Sequence, residues 1–130
     1  MSSIALLRPV DPGALCREYL SAWETQDPDR IAALHSEESS CTLHLGDEPG
    51  PAVGRAAARD AFAAMFERWP GFDFETNRVL VGDRHWVLDW TMFAAPGGER
   101  VAVGLLDVVT VGRDGLVARR DTYLAEGRPA

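Results

Sequence analysis

Val108-Val109-Thr110-Val111, the turn Gly112-Arg113-Asp114-Gly115 and the run Leu116-Val117-Ala118-Arg119-Arg120-Asp121-Thr122-Tyr123-Leu124 decide how this chain folds. Two apolar or β-branched runs joined by a four-residue Gly/Asp loop read as a β-hairpin. Side chains alternate between the faces of a strand, so simple alternation puts Val117, Arg119, Asp121 and Tyr123 on one face. A carboxylate in the middle of such a strand is either a solvated charge or a buried functional group.

Working outward, Phe72 to Val81, Arg84 to Ala94 and Arg100 to Val111 are further runs rich in Val, Phe, Trp and Thr, divided by Gly82-Asp83 and Pro96-Gly97-Gly98. Four strands in succession predict an antiparallel meander. Helices come before it. Asp11-Pro12 is a capping residue followed by proline at the first helical position, and Leu15, Tyr19 and Trp23 recur at intervals of four. Asp27-Pro28 repeats the signal, and Ile31 with Leu34 predicts a short helix ending near His35. Cys41-Thr42-Leu43-His44-Leu45 alternates as a strand after the polar run 36–40, and Gly46 to Gly50 reads as a loop. Phe62, Met65, Phe66 and Trp69 lie at helical spacing, stopped by Pro70-Gly71. The expected helices are thus 12–26, 28–35 and 55–69. Helices set before an antiparallel sheet make an α+β domain.

The chain has 130 residues, 46% hydrophobic and 25% charged, which is one ordinary domain, with its core expected over about 11–124. A net charge of -7, with a pI near 4.8, argues against nucleic-acid and anionic-membrane partners, which are bound through an excess of basic residues. Cys16 and Cys41 form no CxxC pair, so a reducing, cytoplasmic setting is expected. The apolar run 4–7 is too short for a signal-peptide core. His35, His44 and His85 fall on different elements without metal-ligand spacing. Phosphate-loop, GxSxG and Cys-His signatures are absent, so neither metal nor cofactor is implied.

The order of elements, together with the Asp27 turn, Val53-Gly54-Arg55, Leu88-Asp89-Trp90-Thr91, Leu106-Asp107-Val108-Val109 and Arg120-Asp121, resembles the SnoaL-like, or nuclear-transport-factor-2-like, superfamily. That resemblance covers roughly Asp11 to Tyr123 and implies a cone-shaped, cystatin-like fold with a pocket open at one end. The fold hosts isomerases, cyclases, hydrolases, dehydratases and binding modules, so the reaction has to be argued from the site.

In the related polyketide cyclases and limonene-epoxide hydrolases a last-strand aspartate is the acid/base, and Asp121 matches it. Burial in an apolar cone would raise its pKa toward neutrality, whereas pairing with Arg119 or Arg120 would make it structural. Asp107 matches the protonated aspartate of ketosteroid isomerases, and Tyr19 their oxyanion tyrosine. Their general-base position falls near Leu43, with His44 one residue beyond. In the epoxide-hydrolase triad Asp89 stands where the arginine belongs and Thr91 where the second aspartate belongs. Asp89, facing the same cavity as Asp121, would raise one of the two pKa values; alternatively Asp89 pairs with Arg119.

The expected function is therefore cofactor-independent acid/base chemistry, of isomerase, cyclase or lyase type, on a small apolar or carbonyl-bearing molecule. Catalytic candidates are Asp121, Asp107 and Asp89. Tyr19, Trp23, His44, Phe62, Phe66, Trp90, Thr91, Arg119 and Tyr123 are the expected substrate contacts. The alternatives are a ligand-binding or dimerisation module of the same fold and an epoxide-hydrolase-like enzyme with an altered triad. Trp86, Trp90, Val101, Val103 and Val109 give the sheet more large apolar groups than one helical layer covers, so a homodimer through its outer face is also expected.

Overall fold

A computed structural model describes residues 10–46 and 50–125 of the chain. The apolar run 4–7 and part of the 46–50 loop lie outside the described residues. The elements run α1 (Pro12–Thr25), α2 (Pro28–Ala32), β1 (His35–His44), β2 (Ala52–Val53), α3 (Arg55–Arg68), β3 (Asp73–Val81), β4 (His85–Ala94), β5 (Val101–Val111) and β6 (Val117–Leu124).

The helix starts follow from the two Asp-Pro pairs. The Asp11 carboxylate accepts from the Ala14 amide at 2.9 Å, and the Asp27 carboxylate from the amides of Asp29 and Arg30. Each satisfies amides that the first helical turn leaves unpaired. The end of α1 is marked by Gln26 in the left-handed region at φ 55°. Leu15, Tyr19 and Trp23 are all buried, so the stripe read from spacing is the face that packs on the sheet.

The sheet has six strands in the order β2-β1-β6-β5-β4-β3. The meander β3 to β6 is antiparallel, and β1 joins it parallel to β6. Trp86, Leu88, Trp90, Met92 and Ala94 alternate inward along β4, opposite Val109, Asp107, Leu105, Val103 and Val101 of β5. Helices α1 and α3 cover this inner face, and the aromatic core of Tyr19, Trp23, Phe62, Phe72, Trp86 and Trp90 lies between. The other face of β4, β5 and β6 carries Asp89, Thr91, Val108, Asp121 and Tyr123.

Three expectations are corrected. The second helix ends at Ala32 rather than near residue 35, and β1 begins at His35, so the whole polar run 36–40 is strand. Its Glu side chains face solvent while Ser39 is fully buried, and the register shifts between His35 and Ser40. The last hairpin does not keep simple alternation. Thr110 pairs with Arg119 but Val111 pairs with Val117, leaving Ala118 as an extra residue in β6. Val117 therefore points inward, Arg119, Asp121 and Tyr123 outward, and Arg120 and Thr122 inward. Finally, Trp86, Trp90 and Val109 are buried at 5% exposure or less under the helices, and so cannot form an outer contact face.

Candidate functional site

The inward parity of β5 and β6 brings Asp107, Arg120 and Thr122 together. Arg120 Nη2 donates to Asp107 Oδ2 at 3.0 Å, and the Thr122 hydroxyl donates to Asp107 Oδ1 at 2.8 Å. All three residues are buried. Charges removed from water in this way persist only when paired and hydrogen-bonded, and this carboxylate has both kinds of partner. The guanidinium lies 5.0 Å from the Trp23 ring centroid and 6.0 Å from that of Phe62. Burial alone would lower the Arg120 pKa, yet the Asp107 carboxylate, with Tyr19 and Cys41 adding to it, outweighs burial and holds the net shift upward.

Beside the ion pair is a second buried couple, with the Tyr19 hydroxyl 2.8 Å from His35 Nε2. Burial raises the Tyr19 pKa, against the opposing field of Arg120, so the phenol stays protonated. Burial also lowers the His35 pKa to about 3, with Arg120 and Arg55 adding to the shift. A neutral imidazole accepting the phenol proton at Nε2 would donate from Nδ1 toward Ser39 Oγ, 3.3 Å away. Cys41, opposite Arg120 in the β1–β6 register, has its thiol pKa raised by burial, which suits a wall residue rather than a nucleophile.

Two cavities adjoin the pair. The inner one, about 20 Å³, is lined by Tyr19, Leu20, Trp23, Phe72, Phe74, Trp86, Leu88, Trp90, Asp107 and Arg120. Another, about 170 Å³, lies between α3 and β1–β2, where among the described residues Arg120 is the one charged group beside Leu43, Phe62, Met65 and small neighbours. Among the described residues no group of three or more His, Cys, Asp or Glu gathers that could hold a metal ion.

Of the expected site residues, Asp107, Tyr19, Trp23 and Trp90 line the inner cavity and Phe62 the outer one. Phe66 packs against the core behind them, its ring 5.6 Å from Trp23. Asp121, Asp89, Thr91, His44, Arg119 and Tyr123 lie instead on the outer face of the sheet. There the Asp121 carboxylate accepts from His44 Nε2 at 2.9 Å and Arg119 Nε at 2.7 Å, and the Tyr123 ring stacks on His44 at 4.4 Å. The expected rise in the Asp121 pKa is corrected. Burial pushes it up, but the His44 and Arg119 donors outweigh that and hold it below the usual carboxylate value. Asp89 has no ion pair with Arg119, which is committed to Asp121, and Thr91 accepts from Asn77. The Asp121, Asp89 and Thr91 positions thus form no triad within the cone. Sequence reasoning missed Arg120, Thr122 and His35.

A model of the SnoaL-like domain matches residues 16–120. The chain belongs to the SnoaL-like family. Among solved structures, this SnoaL-like chain is similar to SalBIII, an epoxide hydrolase/cyclase-like enzyme of pyran ring formation in the polyether salinomycin. The two are 18% identical over 88% of this chain and 90% of that one, with a TM-score of 0.74. An NTF2-like protein from Anabaena variabilis ATCC 29413 is 12% identical over 89% and 90%, with a TM-score of 0.78. TerC, crystallised with polyporic acid, is 13% identical over 85% and 88%, with a TM-score of 0.75. At such identities the likeness is one of fold. No curated protein sequence matches the chain.

Proposed function

We propose that this SnoaL-like protein performs cofactor-independent acid/base chemistry on a small, largely apolar molecule held in the cone, with Asp107 as proton acceptor. The observation that carries this reading is the placement of Asp107. Among the described residues it is the one acidic group on the wall of an aromatic cavity, fixed in orientation by Arg120 and Thr122. Each carboxylate oxygen keeps a lone pair beyond the bond it already accepts.

Asp107 would take a proton from carbon next to a carbonyl; the C–H electron pair then forms the carbon–carbon double bond of an enolate while the carbonyl π pair moves onto oxygen, where buried donors stabilise it. Returning the proton at another carbon gives isomerisation; loss of a leaving group or attack within the molecule gives lyase or cyclase outcomes. The Tyr19–His35 couple, neutral throughout, would keep the floor of the pocket uncharged.

The test is exchange of α-hydrogens into heavy water on a panel of cyclic and aryl ketones, followed by proton NMR. The parent protein should accelerate exchange, and Asp107→Asn should lose about 10²–10⁴ of that acceleration. An unchanged rate in the variant would end the proposal. A second reading has its own support, since both Asp107 oxygens already accept hydrogen bonds, as in a purely structural pair. In that case the protein is a binding module, and ketones would bind without exchange.

We also propose that a second copy of the chain covers the outer sheet face, where Leu106, Val108 and Phe93 are half-buried and Tyr123 is exposed, with no helix of the described residues above them.

A further inference from the structure

Among the described residues, Trp23 Nε1 has only the neighbouring Tyr19 hydroxyl as a marginal acceptor, and Trp90 Nε1 and Arg120 Nε, also on lining residues of the inner cavity, have none. Their residues are 4%, 5% and 6% exposed, so water does not reach them freely. A desolvated donor without a partner is costly, most of all on a charged group. Phenylalanine at 90 would fill the core with a ring and no such cost. The wall is therefore furnished with more donors than the fold uses.

Space sorts what a ligand could place there. The inner cavity, about 20 Å³, has room for a single water-sized group such as an oxygen atom. The outer cavity, about 170 Å³ and lined among the described residues almost wholly by apolar groups, has room for a small ring. Among the described residues Arg120 alone lines both.

Charge narrows the class further. Arg120 already faces Asp107 at 3.0 Å, so the pair sums to zero. An anion set beside it would be repelled by Asp107 nearly as strongly as Arg120 attracts it, and would still lose its own hydration. The chain's net charge of -7 adds to that bias. A neutral acceptor meets the unused donors without either penalty.

We propose that Arg120 is the specificity-determining residue of the pocket: through Nε it reads a neutral carbonyl oxygen seated in the inner cavity, while the ring bearing that oxygen lies in the outer cavity between α3 and β1–β2. This names the substrate class for the pocket put forward under Proposed function and rests on that reading. The charge of Arg120 holds Asp107; its remaining donor selects the ligand.

Acetophenone, benzoate and ethylbenzene have nearly the same shape and differ as neutral acceptor, anion and acceptor-free hydrocarbon. Each is titrated into the full ¹⁵N-labelled chain, following the Arg120 Nε–H resonance, which is assigned by its absence in Arg120→Lys. Acetophenone should move that resonance and bind about tenfold more tightly than either analogue. In Arg120→Lys, which keeps a cation for Asp107 but has no Nε–H, acetophenone should fall to the affinity of ethylbenzene. Benzoate binding as tightly as the ketone, or the ketone and hydrocarbon binding alike with the resonance unmoved, would overturn the proposal. The three-ligand series on the parent protein decides the matter alone if the lysine variant does not fold. Binding by all three probes with equal affinity sinks this inference and spares the pocket; binding by none sinks both.

Discussion

Replacing Asp107 with alanine should be among the most damaging single changes in this chain. The carboxylate is 3% exposed and satisfies both the Arg120 guanidinium at 3.0 Å and the Thr122 hydroxyl at 2.8 Å. Its removal strands a cation that is itself only 6% exposed, on a residue whose Nε already lacks an acceptor among the described residues. Breaking a buried pair from one side costs roughly 3–5 kcal/mol. Against a total stability of about 5–15 kcal/mol, that is a drop of roughly 10–20 °C in melting temperature for a domain of this size. Urea unfolding followed by tryptophan fluorescence reads it directly, since Trp23, Trp86 and Trp90 surround the pair. The double change Asp107→Leu with Arg120→Met fills similar volume without charge and should recover most of the loss. A single alanine variant costing less than about 1 kcal/mol, or a double variant no more stable than the single, would refute the account of this pair as buried and mutually dependent.

Other consequences are simpler to state. His35 has its pKa lowered from 6.5 to about 3, so the unfolded chain binds a proton there that the native state refuses. Stability is full above about pH 6.5 and falls as pH drops toward 3, on the order of 4 kcal/mol by the end. His35→Gln should flatten the slope between about pH 4.5 and 6.5, and an unchanged slope in acid titrations would contradict this. Asp121, held low by His44 and Arg119, contributes stability present above its ordinary value of 3.8 and lost as pH falls through its lower native value. Asp121→Asn should remove that loss below about pH 4 while leaving ketone exchange intact, as parallel stability and exchange measurements would show. Sedimentation at micromolar concentration should give a dimer, and Val108→Arg on the outer face should give a monomer with the cone's ligand binding unaltered. A monomeric parent protein would dismiss that interface.

How much of this was readable beforehand depends on local chemistry at each point. The helices were legible because Asp11-Pro12 and Asp27-Pro28 cap and start them by contacts within three residues of sequence. Meander strands were legible from β-branched runs cut by glycine turns. Strand β1 was only half legible, because its first residues look like a polar loop when their Glu side chains face water and Ser39 turns inward to His35. Which of Arg120 and Asp121 faces the cone depended on one extra residue, Ala118. Alternation counted forward from Val117 puts Asp121 inside, whereas counting back from Leu124 puts Arg120 and Thr122 inside, which is the observed parity. The pairing of Asp107 with Thr122 across the hairpin was a usable signal, since a lone acid among Leu105 and Val109 needs inward-facing donors from its neighbour strand. His35 was not findable from spacing, because its partner Tyr19 lies on α1 and the two meet only through the packing of helix on sheet.

The claim that matters most is that the working surface lies inside the cone, at Asp107 and Arg120, and not at the His44, Asp121, Arg119 and Tyr123 cluster outside it. Crystals soaked in 4-bromoacetophenone and measured at the bromine edge would locate a bound ring without any assumption about turnover. The account predicts an anomalous peak between α3 and β1–β2, bordered by Leu43, Phe62 and Met65, with the carbonyl directed at Arg120. A peak over the His44 and Tyr123 rings, with the cone unoccupied, would contradict it.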